Sequence, residues 1–153
     1  MEQYIGTKII KAKPGTMAEA QALRGGMSIE QAKAMFRNSG TVDKDGYVVQ
    51  YEDGYVSWSP KEAFENAYRQ CDNMTFGLAL EALKKGFKVA RKGWNGKGIY
   101  IELQVPDEHS KMTLPYIYIV TNGLVTDNPD APKGVVPWLG SQTDLLAEDW
   151  YIC

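Results

Sequence analysis

Thr75-Phe76-Gly77-Leu78-Ala79-Leu80-Glu81-Ala82-Leu83-Lys84-Lys85-Gly86-Phe87-Lys88-Val89-Ala90-Arg91 is the stretch whose pattern decides the fold. Phe76, Ala79, Leu80 and Leu83 recur at i, i+3, i+4 and i+7, the period of one helix face. Thr75 is the N-cap and Gly86 the stop. The period then changes: Phe87 to Arg91 reads as a short strand. Beyond the Gly93-Trp94-Asn95-Gly96-Lys97-Gly98 turn, residues 99–105 alternate strictly. Alternation sends Ile99, Ile101, Leu103 and Val105 to the core and turns Tyr100, Glu102 and Gln104 away. Downstream, Tyr116 to Val120, the Asn122-Gly123 turn and Leu124-Val125-Thr126 read as a hairpin. Val135-Val136-Pro137-Trp138-Leu139 leads to Ser141-Gln142-Thr143-Asp144, which caps a helical turn around Leu145 to Ala147. Asp149 to Ile152 closes this half as a strand. One helix with a mostly antiparallel sheet defines an α+β fold.

Working outward, a seam near residue 71 separates a domain at 71–153 from a smaller α+β module at 1–70. In the module, Tyr4 to Ile10 alternates loosely and reads as a strand. Met17 to Leu23 is helix-prone and stops at Gly25-Gly26. A second helix runs from Ser28 to Phe36, opened by Ser28 and Glu30-Gln31, with Ile29, Ala32 and Phe36 on one side. Asn38 to Gly46 is a polar loop. Tyr47 to Tyr51 and Tyr55 to Trp58 form a hairpin around Asp53-Gly54. Ser59-Pro60-Lys61-Glu62 reads as a helix start with Ser59 as cap, Pro60 in the first turn and Glu62 closing the box. Ala63, Phe64, Ala67 and Tyr68 then pack against the hairpin.

Composition narrows the function. With 17 Lys+Arg against 19 Asp+Glu, no global basic field favours duplex DNA. The longest aliphatic-aromatic run, Tyr116 to Val120, is far short of the roughly 20 residues of a membrane span. Met1-Glu2-Gln3-Tyr4 has no charged-then-apolar leader, so a cytoplasmic location is expected, and the Asn73-Met74-Thr75 sequon stays unmodified. A single histidine, His109, in a polar loop, excludes multi-histidine zinc sites, and Cys71 and Cys153 have no CxxC spacing. No metal, cofactor or catalytic residue is expected.

Two segments carry candidate chemistry. Lys84, Lys85, Lys88, Arg91, Lys92 and Lys97 fall within 14 residues, beside a glycine-rich turn holding Trp94. Backbone amides there can face an anion, Arg91 or Lys97 can add charge-assisted bonds, and Trp94 can stack on a base. The G-x-x-G-x-G spacing is neither a dinucleotide fingerprint nor a P-loop. The same residues also describe a solvated helix edge and a hairpin tryptophan covering the core. In Pro137 to Asp144, a helix N-terminus with Ser141, Gln142 and Thr143 offers hydrogen bonds. Equally, Ser141 and Asp144 can simply cap the helix while Trp138 packs inside. Asp144, Glu148 and Asp149 would be the carboxylates of a hydrolase, or plain surface acids.

Two blocks carry a resemblance. One is Met74-Thr75-Phe76-Gly77-x-Ala79-Leu80-x-x-Leu83-Lys84-x-Gly86-x-Lys88-Val89-Ala90-Arg91-Lys92-Gly93-Trp94-Asn95-Gly96-Lys97-Gly98. The other is Pro137-Trp138-Leu139-x-Ser141-Gln142-Thr143-Asp144-x-Leu146-Ala147-x-Asp149-Trp150. Together they resemble the second family of Thoeris anti-defence proteins of phages and prophages. Residues 1–70 lie outside that pattern and resemble a small phage-associated module. The resemblance implies a sponge that binds glycocyclic ADP-ribose, and in some relatives cyclic dinucleotides of the CBASS pathway, without cleaving them. It implies homo-oligomers, a tetramer being the expected state, with ligand pockets between subunits in the infected bacterial cell. On that implication Trp94 or Trp138 stacks on the base and Arg91 and Lys97 meet phosphates. Asn95, Gly96, Ser141, Gln142, Thr143 and Asp144 complete the ligand-binding set. The competing readings are a phosphodiesterase using Asp144, Glu148 or Asp149, and a module binding protein or single-stranded nucleic acid.

Overall fold

A computed structural model describes residues 1–3, 5–36, 40 and 42–153. The chain divides into two compact units, Met1–Tyr68 and Arg69–Cys153. The architecture is α+β, with a three-stranded and a five-stranded antiparallel sheet.

In the first unit, strands β1 (Lys11–Pro14), β2 (Gly46–Gln50) and β3 (Val56–Pro60) pair in that order, with helices α1 (Met17–Gly25), α2 (Ile29–Met35) and α3 (Lys61–Ala67). Helix α1 is bounded as its residues dictate. Thr16 and Glu19 form a capping box, and Gly26 takes the left-handed conformation (φ 60°) that ends it. Its alanines let neighbours approach on two sides. Ala18 and Ala22, one turn apart, meet Ala32 of α2, whereas Ala20 meets Val48 and Val56 of the sheet. Trp58 seals the sheet side, its indole N–H donating to the Gly15 carbonyl at 3.0 Å. The hairpin joining β2 and β3 turns through Gly54 (φ 84°).

Several expectations for this unit need correction. No strand runs through residues 5–10; the first strand begins at Lys11, where pairing with β2 starts, and Tyr4 lies outside the described residues. Of the expected loop at 38–46, Asn38, Ser39 and Thr41 lie outside them too, and Gly46 already belongs to β2. Ser59 does not cap α3, because the ladder with β2 holds Ser59 and Pro60 in β3. Pro60 is itself the N-cap, with no side-chain bond. Helix α3 buries no residue, but Phe64 stacks on Tyr47 of β2 at 4.1 Å, so the hairpin does receive it. Of the α2 stripe only Ala32 is buried.

The second unit sets helix α4 (Phe76–Lys84) on a sheet ordered β7 (Val135–Pro137), β6 (Tyr116–Val120), β5 (Tyr100–Gln104), β4 (Val89–Arg91), β8 (Trp150–Ile152). The Thr75 hydroxyl accepts from the Leu78 amide. At the other end Gly86 (φ 87°) closes the helix, with Phe87 N–H donating to the Ala82 carbonyl and Gly86 N–H to that of Leu83. Ala79, Ala82 and Leu83 pack on Val89, Ile101 and Trp150, all essentially inaccessible. Each large side chain buried this way contributes roughly 1.5–3 kcal/mol.

Three expectations for this unit need correction. Val105 lies beyond the paired register and is 62% exposed, so the core-facing alternation ends at Leu103. Residues 124–126 do not return along β6. Val125 instead donates to the Lys97 carbonyl, and β6 pairs with Val135–Pro137 after a longer excursion. The last helix, α5 (Gln142–Leu145), ends at Leu145, short of the expected Ala147.

Candidate functional site

The antiparallel register of β4 with β8 sets Arg91 opposite Trp150. It thereby brings the two sequence blocks together. Trp150 is fully buried and acts as the common floor. Trp94 stands edge-on to it at 5.3 Å and 76°, and Trp138 at 5.9 Å and 88°. Phe76, from α4, closes the cluster against Trp138 and Trp150. Trp94 and Trp138 are only partly buried, so each indole belongs to the core and to the surface at once.

Asp144 is the hub. One carboxylate oxygen accepts from Arg91 Nη1 at 2.7 Å and from the Trp94 indole N–H at 2.9 Å. The other accepts from the Ser141 hydroxyl at 2.6 Å and the Ser141 amide at 3.1 Å. Its backbone carbonyl accepts from the Trp150 indole N–H at 3.0 Å. Burial alone would raise the Asp144 pKa, but bonds from Ser141, Trp94 and Arg91 outweigh it and hold the carboxyl well below the usual range. Arg91 also donates through Nε to Asp149 at 2.8 Å, and the Gly93 amide donates to the other Asp149 oxygen at 2.7 Å. These bonds from Arg91 and Gly93 lower the Asp149 pKa against its desolvation.

The expected binding residues therefore divide into two groups. Trp94, Trp138, Arg91, Ser141 and Asp144 are drawn together, but the polar ones among them are already engaged with one another. Arg91, expected to meet a phosphate, faces two carboxylates, Asp144 and Asp149. The amides of Ser141 and Asp144 are engaged in the capping box of a four-residue helix. Asn95, Lys97, Gln142 and Thr143 remain exposed; Gly96 is partly buried against Leu124 and Ile99. Lys97 Nζ donates to the Lys92 carbonyl at 2.8 Å, and its charge has no carboxylate partner among the described residues.

The wider basic stretch is not a free basic surface either. Lys84 pairs with Glu81, Lys88 with Glu102, and Lys92 with Asp72. Sequence reasoning did not single out Asp149 as a partner for Arg91, because 58 residues separate them. It also passed over the outward face of β5 and β6. There Tyr100, Glu102, Gln104, Tyr116 and Tyr118 line a cavity of about 380 Å³, and Tyr118 donates to Glu102 at 2.5 Å. The alternation of 99–105 was the signal for that face. Among the described residues no helix is long and apolar enough to cross a membrane.

This helix-on-sheet unit matches the Thoeris anti-defense 2-like domain. The model of that family matches residues 74–153, just over half the chain, and the chain belongs to the family. Thoeris anti-defense 2 from Bacillus phage SP01 is 40% identical over 83 residues, which cover 52% of this chain and 93% of that protein. Membership assigns an anti-defence role to the domain.

Proposed function

We propose that the second unit captures a small cyclic nucleotide signal and keeps it intact, glycocyclic ADP-ribose first and cyclic dinucleotides as alternative ligands. The chain thereby blocks activation of a Thoeris effector, with CBASS a second target. The carrying observation is the convergence of Trp94 and Trp138 on Trp150, each residue only partly buried. A partly exposed indole can stack on a purine, at roughly 1–3 kcal/mol per stacked base. Exposed Asn95, Gln142 and Thr143 supply hydrogen bonds for ribose and base edges, and Lys97 the charge for a pyrophosphate.

Sequestration must deplete a scarce messenger, which needs about nanomolar affinity, or about −12 kcal/mol. The open site of one chain offers too little enclosure for that, so a second copy is proposed to complete the pocket. Supporting this, Leu139 is 93% and Leu146 78% exposed beside the tryptophans, and Val135 and Val136 add further apolar surface. Two of the three carboxylates that would serve a hydrolase are already held, Asp144 by Arg91 and Asp149 by Arg91 and the Gly93 amide, an arrangement that favours binding over catalysis.

Calorimetry with glycocyclic ADP-ribose, linear ADP-ribose and a cyclic dinucleotide panel, alongside light scattering for the oligomer, tests the reading. Nanomolar binding that Trp94→Ala and Trp138→Ala each weaken at least about tenfold, near one lost stack, is expected. Absence of binding by any cyclic nucleotide would refute it.

A further inference from the structure

We infer that Asp149 is a positioning residue for the proposed nucleotide site: through Arg91 and the Gly93 amide it fixes the loop that carries Trp94 and Asn95. Arg91 then holds this loop and does not meet the ligand. The inference rests on the proposed binding function, but its geometry stands apart from any ligand.

Three observations carry it. Asp149 uses one oxygen on Arg91 Nε and the other on the Gly93 amide, tying β4 and the start of the 93–98 turn to the base of β8. The fit requires glycine: a Cβ at Gly93 would stand 2.7 Å from the Asp149 carboxylate oxygen, forcing it off the amide. Finally, Arg91 is only 15% exposed and faces two carboxylates, Asp144 and Asp149. The cluster carries one cation against two anions, so an approaching pyrophosphate meets net negative charge there. Lys97 has no such carboxylate beside it among the described residues.

The pairing of the strand does not need this carboxylate. Lys92 N–H donates to the Asp149 backbone carbonyl, and the Arg91–Trp150 register is independent of the side chain. The Asp149 side chain is also 30% exposed. Its removal therefore loosens the loop more than it unfolds the unit.

Full-length wild type, Asp149→Asn, Arg91→Gln and the double variant are titrated calorimetrically with glycocyclic ADP-ribose. Hydrogen exchange at the Gly93 amide and the Trp94 indole N–H is followed by NMR. Gly93→Ala, which keeps every charge, is the second route to the same lesion. Positioning predicts that Asp149→Asn and Arg91→Gln each weaken binding about tenfold. The double variant should lie within about twofold of the worse single, since both cut one unit. Exchange at Gly93 and Trp94 should quicken in Asp149→Asn and Gly93→Ala.

Direct phosphate contact predicts the opposite sign. Asp149→Asn would free the guanidinium and leave binding equal or tighter, while Arg91→Gln alone loses it. That result overturns the inference, as does a lowered melting temperature with affinity and exchange unchanged. If wild type binds no cyclic nucleotide, the function above fails, and the exchange data alone decide whether Asp149 holds the loop.

Discussion

Asp144→Ala is the substitution from which the site's architecture predicts most. The carboxylate is 14% exposed and receives four donors: Arg91, the Trp94 indole, and the amide and hydroxyl of Ser141. Losing one partner of a buried ion pair costs about 3–5 kcal/mol. Arg91 keeps Asp149 and is slightly exposed, so a charge-assisted bond of about 1.5–3 kcal/mol is the better measure. Loss of the capping box adds about 1 kcal/mol. The orphaned Trp94 N–H can reach water and adds little. These effects share one carboxylate and do not sum fully, so about 3 kcal/mol is expected. For a unit of this size that lowers the melting temperature by roughly 12–24 °C. Near-ultraviolet circular dichroism of the full chain reports it, because Trp94, Trp138 and Trp150 all lie in the second unit. Ser141→Ala is the internal control: it removes the cap and one of the four donors to Asp144 but leaves the ion pair with Arg91, and costs about 1 kcal/mol. If Asp144→Ala melts no lower than Ser141→Ala, the hub is not one.

Three further outcomes are expected. Because Asp144 and Asp149 have depressed pKa values when folded, their contribution is complete above the ordinary 3.8 and drains away as pH falls below it; acid titration of stability in the Asp144→Ala, Asp149→Asn double variant should lose this slope. Tyr118, whose pKa the Glu102 carboxylate pushes up to about 12, should ionise later than the other tyrosines in ultraviolet difference spectra, and Glu102→Gln should bring it back toward 10. Gly98→Ala should destabilise the 93–98 turn by about 1 kcal/mol or more, measured by thermal melts, since Gly98 has φ 78° and its new Cβ would collide with the Gly123 carbonyl.

Local signals were legible wherever the physics is local. Thr75 with Gly86, Thr16 with Gly26, and Ser28 with Gln31 each bound a helix through bonds spanning a few residues, so short windows of sequence contain them. Ser59-Pro60 carries the same kind of signal, and there the ladder with β2 prevailed over it. The Asn122-Gly123 turn likewise forms, with Leu124 N–H donating to the Thr121 carbonyl. The partner of β6 is nevertheless decided by Val125 crossing to Lys97 and by Val136 lying opposite Ile119. The two tryptophan blocks could be read as site material one at a time. Their union could not, because it depends on a three-residue pairing between Val89–Arg91 and Trp150–Ile152. That pairing also sets Arg91 beside two carboxylates, which its place in a basic stretch did not disclose.

The most direct measurement incubates the full-length protein with glycocyclic ADP-ribose, removes unbound ligand, denatures the complex by heat and analyses the released small molecule by mass spectrometry. Recovery of the unchanged cyclic compound in stoichiometric amount is the predicted result. Release of a linear or hydrolysed product, or of no nucleotide at all, would contradict the account.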